Sequence, residues 1–209
     1  MYKNYWEQYY SNNRQSDSPS LFAQYICEKY AKDGQTVTEL GCGNGRDAVW
    51  FAKNGLKVTA FDQCQDEMDY LSAQFKDTEN ISFEAKDFSS LPDMEKTDLV
   101  YSRFTLHSVS QRKEHKTLLW ASNNLKNGGH LCIEVRGTKN ELYRQGQPVE
   151  NEPDAFILDS HYRRFLDLET LRKNLETLGF DIVEAEEKAG FAPHNTTQHN
   201  TTQHNTTQQ

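Results

Sequence analysis

Within VTELGCGNGRDAVWFAKNGLKVTAFD, residues 37–62, the residues spaced for chemistry are Glu39, Gly41, Gly43, Gly45 and Asp62. Glycines at G-x-G-x-G let a backbone turn tightly from strand to helix and let a ligand lie against it, because no Cβ intervenes. An acid at the end of the following strand, where Asp62 stands, can accept hydrogen bonds from both hydroxyls of a ribose. The spacing differs from the G-x-G-x-x-G of dinucleotide sites. Glu39, two residues before the first glycine, would repel a pyrophosphate and suits a ligand carrying a cation, which disfavours a NAD-dependent oxidoreductase. The plain alternative is a ligand-free turn of an α/β protein, but glycine run, preceding acid and distal acid agree in register.

A second group is cationic. Arg103, His107, Arg136, His161, Arg163 and Arg164 all fall in segments expected at the carboxyl ends of strands, where open α/β sheets hold ligands. Arginine forks suit phosphate and carboxylate. The alternatives are structural: Arg163 and Arg164 could pair with Asp159 and Asp167, and His107 could make a structural hydrogen bond.

The elements that must position these groups alternate between strand and helix. Val37–Leu40 reads as a buried strand, Arg46–Lys53 as a helix ended by Gly55, and Val58–Phe61 as a second strand. Helix Glu67–Lys76 and strand Ile81–Ala85 follow, then strand Asp98–Ser102, helix Lys113–Lys126 ended at Asn127-Gly128-Gly129, and strand His130–Val135. Residues 136–160, with Gly146, Pro148 and Pro153, read as a long loop, a length more often functional than idle. Helix Leu168–Leu178 and strand Asp181–Glu186 complete the pattern; a helix over Leu21–Tyr30 precedes it.

The chain has 209 residues and a net charge of −8, which fits one domain and argues against nucleic acid as a partner. No apolar run is long enough for a membrane span, and MYKNYWEQYY lacks the ordered regions of a secretory signal. Cys27, Cys42, Cys64 and Cys132 lie far apart without metal-ligand spacing and read as reduced thiols in a cytoplasm; no metal is expected. Oligomeric state has no signature here. Residues 1–20 are polar and aromatic, and Tyr5, Trp6, Tyr9 and Tyr10 suit either one face of a packed helix or a lid over the ligand. From His194 the chain reads HNTTQ three times and ends in Gln, a low-complexity tract without an apolar residue, expected to be disordered, with a polar Thr-rich strand as the alternative. Its Asn-Thr-Thr sequon matches are taken as accidental.

E-x-G-x-G-x-G followed by a strand ending in Asp resembles the first motif of the class I S-adenosylmethionine-dependent methyltransferases. That resemblance implies an α/β, Rossmann-like three-layer sandwich with a mostly parallel sheet over residues 21–193, residues 1–20 as an N-terminal lid, and S-adenosylmethionine as cofactor. The family usually ends in a seventh, antiparallel strand between the fifth and sixth; here it is missing or replaced by the 194–209 tail. Cofactor contacts carried over are Trp6, Tyr10, Glu39, Gly41, Cys42, Gly43, Asn44, Gly45, Arg46, Asp62, Gln63 and Ser102, with Asp87 for the adenine amino group and Phe88 for its ring.

WEQYY, PSLFAQYI, ELGCGNGRDAVWFA, YSRFTLHSV, IEVRG, DSHYRRF and GFAP are similar to a bacterial subgroup associated with surface polysaccharide (lipopolysaccharide) synthesis. That subgroup is similar to the methyltransferase half of the kinase-methyltransferases that end O-antigen chains by methylating a terminal phosphate. The resemblance implies an anionic small-molecule or glycan acceptor, with Arg103, Arg136, Tyr162, Arg163 and Arg164 binding it. A phosphate oxygen needs no general base; for a sugar hydroxyl, His107 or His161 is the candidate catalytic base. Two other readings stay open: small-molecule or tellurite-type methylation, and an inactive cofactor-binding variant produced by the altered terminus.

Overall fold

The structure, a computed structural model, describes residues 18–193 and 198–208, with side chains described through residue 188. Five strands run parallel: β1 (Thr36–Leu40), β2 (Lys57–Asp62), β3 (Ile81–Ala85), β4 (Thr97–Arg103) and β5 (Leu125–Arg136). β9 (Phe180–Pro193) and β10 (Gln198–Gln208) complete a seven-stranded sheet in the order β3-β2-β1-β4-β5-β10-β9. β10 is antiparallel to both its neighbours. This is the α/β, Rossmann-like arrangement expected from the alternation of elements.

Helices cover both faces because each strand alternates its side chains between them. On one face Val37, Val58, Ala60, Tyr101 and Cys132 meet α1 (Leu21–Lys29), α2 (Arg46–Lys53) and α3 (Gln65–Gln74) through Phe22, Ile26, Phe51 and Met68. On the other, Leu40, Phe61, Val100, Leu131 and Ile133 meet α4 (Gln111–Asn124) and α5 (Leu168–Thr177) through Leu118, Ala121, Leu171 and Leu175. Local chemistry starts the helices: Ser20, Ser110 and Asp167 each accept a backbone N–H of the first turn of α1, α4 and α5. The strand parity that builds the core also puts Glu39, Arg103, Glu134 and Arg136 on the α1–α3 face.

Two expectations are corrected. Residues 136–160 are not simply a loop: β6 (Gln147–Pro148), β7 (Ala155–Leu158) and β8 (His161–Arg164) form a separate three-stranded antiparallel sheet. Tyr143, Phe156 and Phe165 pack ring to ring against it, so the segment has an aromatic core of its own that dispersed aromatics in a Gly- and Pro-containing stretch concealed. The repeat tail, expected to be disordered with a polar strand as the alternative, takes the alternative: 198–208 is β10. β5 and β9 would otherwise present facing rows of unpaired backbone groups, and a Thr-rich strand satisfies them by main-chain pairing with no demand on an apolar pattern. No helix among the described residues is long and apolar enough to cross a membrane.

Candidate active site

The loop between β1 and α2 is held by its own backbone. The N–H groups of Gly41 and Cys42 both donate to the Phe61 carbonyl, at 2.8 and 2.9 Å, tying the turn to the end of β2. Gly41 has φ +72°, and a Cβ there would lie 2.5 Å from Thr105 Cγ2, so only glycine lets the chain pass. Thr105 is itself fixed, its hydroxyl donating to the Leu40 carbonyl at 2.9 Å. Gly45, also left-handed, opens α2.

Asp62 is buried at the tip of β2. One carboxylate oxygen accepts the Gly43 N–H and the other the Cys64 N–H, each at 3.0 Å. Both oxygens keep lone pairs, which suits a vicinal diol. Glu39 lies on β1 beside Tyr101 of β4 in register, is 3% exposed, and its Oε2 has no hydrogen-bond partner. Burial first, then the neighbouring Asp47 and Asp62 charges, push its carboxyl well above the usual range. An orphaned buried acid beside a glycine turn fits a ligand that brings positive charge and ribose hydroxyls. S-adenosylmethionine has both, so the residues fit this cofactor.

Asp47, which sequence reasoning passed over, organises the site from behind. It accepts the Ser20 N–H at 2.7 Å, the Ser20 hydroxyl at 2.8 Å and the Tyr101 hydroxyl at 2.7 Å, joining α1, α2 and β4. An acid early in the second helix was its sole sequence signal. Ser102 is buried with its hydroxyl unpartnered, Asn44 and Arg46 are half-buried at the turn, and Gln63 is exposed after β2. Asp87 is exposed and largely engaged: one oxygen caps the turn Phe88–Ser90 through Ser89, and the other accepts Lys113 Nζ at 3.1 Å. Phe88 packs against the α4–α5 side of the core. Trp6 and Tyr10 lie outside the described residues.

The cationic group divides. Arg164 is structural rather than acceptor-binding: it pairs with the buried Glu114 of α4 and donates to the carbonyls of Leu106 and Val109 at 3.2 and 3.0 Å. Its four-residue strand needs an anchor to the main domain, and this side chain supplies it. Tyr162 is likewise engaged, its hydroxyl donating to Glu152. Arg103 donates through Nε to Glu134 Oε2 at 2.7 Å, its register partner on β5, which commits that nitrogen to the sheet. Arg163 is half-buried and donates to the Leu158 carbonyl at 3.3 Å.

Arg136 differs from these. It is 9% exposed, yet its Nε and Nη1 have no partner. Burial, then Arg163 and Arg103, lower its ionisation range to about 10, so it remains a cation at neutral pH. His107 and His161 are buried, and the Nδ1 of His107 has no hydrogen-bond partner. Burial, then Arg136, depresses His107 well below the usual imidazole range; burial, then Arg163 and Arg136, takes His161 down to about 4. Both are neutral at pH 7. The cluster therefore offers unsatisfied guanidinium donors and neutral imidazoles, a combination suited to binding an anion and, for His107 or His161, to accepting a proton. No group of His, Cys, Asp and Glu among the described residues is arranged to hold a metal ion.

Comparison with known proteins agrees with this geometry. Residues 37–129 match the family model described as a methyltransferase domain. A methyltransferase of Methanosarcina mazei described as SAM-dependent has the same fold, with a TM-score of 0.76 at 16% identity over 88% of this chain and 96% of that one. The 1,6-didemethyltoxoflavin-N1-methyltransferase of Burkholderia thailandensis, with S-adenosylhomocysteine bound, has a TM-score of 0.71 at 18% identity over 95% and 83% of the two chains. A glycopeptide N-methyltransferase in complex with S-adenosylmethionine has a TM-score of 0.70 at 16% identity over 92% and 95%. No curated protein sequence matches. The glycine turn with its two acids, the sheet order and the matched segment converge: residues 37–129 match a methyltransferase domain, the whole has the class I methyltransferase fold, and the residues of the turn fit S-adenosylmethionine.

Proposed function

We propose that the chain is an O-methyltransferase acting in the cytoplasm on an anionic, phosphate-bearing glycan or glycan precursor of a bacterial surface polysaccharide. The observation that carries the anionic acceptor is Arg136, a buried cation with two unpaired donors. Leaving such donors unmatched is costly, and a phosphate oxygen would satisfy them.

S-adenosylmethionine supplies a methyl group made electrophilic by a positively charged sulfur. Glu39 and Asp62 would hold this cationic, ribose-bearing partner, and the glycine turn would let it lie close. Arg136, with Arg163 nearby, holds the acceptor's anionic oxygens so that one can be aligned with the methyl group. A phosphate oxygen attacks without losing a proton. With a hydroxyl acceptor, neutral His107 through its unpartnered Nδ1, or neutral His161, would take the proton.

A second reading, methylation of a small molecule or a tellurite-type oxyanion, is favoured by the likeness to a toxoflavin-precursor methyltransferase and uses the same cofactor site. Transfer of labelled methyl from S-adenosylmethionine to a phosphate-terminated oligosaccharide, beside the same oligosaccharide without phosphate, separates the two. Labelling only with phosphate, lost in Arg136→Ala, is expected. Equal labelling of the phosphate-free oligosaccharide would refute the anionic acceptor. No labelling of either by a protein that binds S-adenosylhomocysteine would turn attention to the small-molecule reading or to an inactive variant.

A further inference from the structure

Glu134 and Arg136 are two residues apart on β5 and therefore project from the same face, each with unpaired buried polar atoms: Oε1 of the acid, Nε and Nη1 of the base. Opposite charges so placed would ordinarily pair. Instead Glu134 turns its other oxygen to Arg103 on the neighbouring strand, and Arg136 keeps its donors open.

The residue whose ring meets both arginines is Phe104. Its ring centroid lies 4.4 Å from Arg103 Cζ and 5.3 Å from Arg136 Cζ, and 5.6 Å from the His107 ring. Phe104 has φ +53°, a left-handed conformation that is costly for a side chain with a Cβ, and its N–H donates to the Glu134 carbonyl at 2.8 Å. Strain of this kind persists only where the surroundings enforce it. Here it places an aromatic face against two guanidinium groups at the end of β4, where cation–π attraction favours both contacts.

We propose that Phe104 is a positioning residue, a spacer that keeps Arg136 from collapsing onto Glu134 and so preserves its open donors for the anionic oxygens of the acceptor. The proposal rests on the reading of Arg136 as an anion site. It assigns to Phe104 a role that acts through Arg136. Removing the ring lets Arg136 fall onto Glu134 Oε1, satisfying both inside the protein and withdrawing the site.

The test is calorimetric titration of the full-length chain, saturated with S-adenosylhomocysteine, with inorganic phosphate. Arg136→Ala removes the site itself and should abolish phosphate binding. Phe104→Gly accepts the same backbone conformation without a ring and should weaken phosphate binding about tenfold or more. Phe104→Tyr should restore it. Phe104→Gly combined with Glu134→Gln should also recover affinity, because the acid that captures Arg136 is gone while an oxygen remains for Arg103; a merely structural role for the ring predicts no such recovery. Cooperative melting and unchanged S-adenosylhomocysteine affinity show that each variant is folded, with Phe104→Leu as the substitute if the glycine variant is not. Wild-type phosphate affinity in the Phe104 variants, or no recovery in the double variant, would overturn the spacer role. Wild-type affinity in Arg136→Ala, or no phosphate binding by the unmodified chain, would overturn the anion site and the spacer with it.

Discussion

Replacing Glu39 with Gln tests the cofactor side of the site, because Glu39 is a 3% exposed acid with an unpartnered oxygen and an ionisation range raised by burial and by Asp47. Without ligand these surroundings shift the carboxyl toward its protonated form. The α-ammonium that S-adenosylmethionine and S-adenosylhomocysteine share, bound beside it, reverses the balance: at about 4 Å and an effective dielectric near 20, two unit charges attract by ~4 kcal/mol, much of which is spent on deprotonation and desolvation. A net loss of about 1.5–3 kcal/mol in the Gln variant, roughly tenfold to a hundredfold in Kd, is the size expected for a hydrogen bond to a charged group. S-adenosylhomocysteine binding should release a proton, visible as a calorimetric enthalpy that varies with the ionisation enthalpy of the buffer, and Glu39→Gln should remove that dependence. The sign for stability follows from the raised range. Below the ordinary carboxylate range the unliganded fold is fully stable in this respect, and it loses stability as pH rises through Glu39's elevated range. Equal Kd for both proteins with no proton release would refute the reasoning.

The remaining expectations concern the frame. Glu114→Ala leaves Arg164 buried and unpaired and should cost about 3–5 kcal/mol in urea unfolding, whereas replacing both with methionine should recover much of it; a cost below about 1 kcal/mol would show that the pair is not what anchors β8. Inserting one more HNTTQ unit should leave melting and S-adenosylhomocysteine affinity unchanged, because sliding β10 by one repeat returns the same residue type to every paired position. Truncation after Pro193 should lower the melting temperature and promote association by exposing β5 and β9. A truncated chain that melts like the full one would place the tail outside the sheet.

Much of this protein is legible in its sequence because the signals are local. Gly41, Gly43 and Gly45 with Glu39 and Asp62 announced the turn, its ligand-facing backbone and a ligand bearing positive charge, since left-handed φ and close approach demand glycine. Strand and helix periods gave the parallel sheet of five strands and its covering helices. Ser20, Ser110 and Asp167 mark helix starts by side chains that bond within the next turn.

What tertiary structure alone decided is which charges are spent and which are held in reserve. Arg103, Arg136, Arg163 and Arg164 look alike along the chain. Arg164 on β8 is consumed by Glu114, fifty residues away on helix α4, and Arg103 by Glu134 across a strand pair, while Arg136 stays open beside Phe104. The polar repeat likewise has no core-forming pattern, yet it becomes a central strand because two backbone edges need a partner. Pairing of charges and of sheet edges depends on distances between segments remote in sequence, and buried polar groups take whichever partner the fold brings within reach.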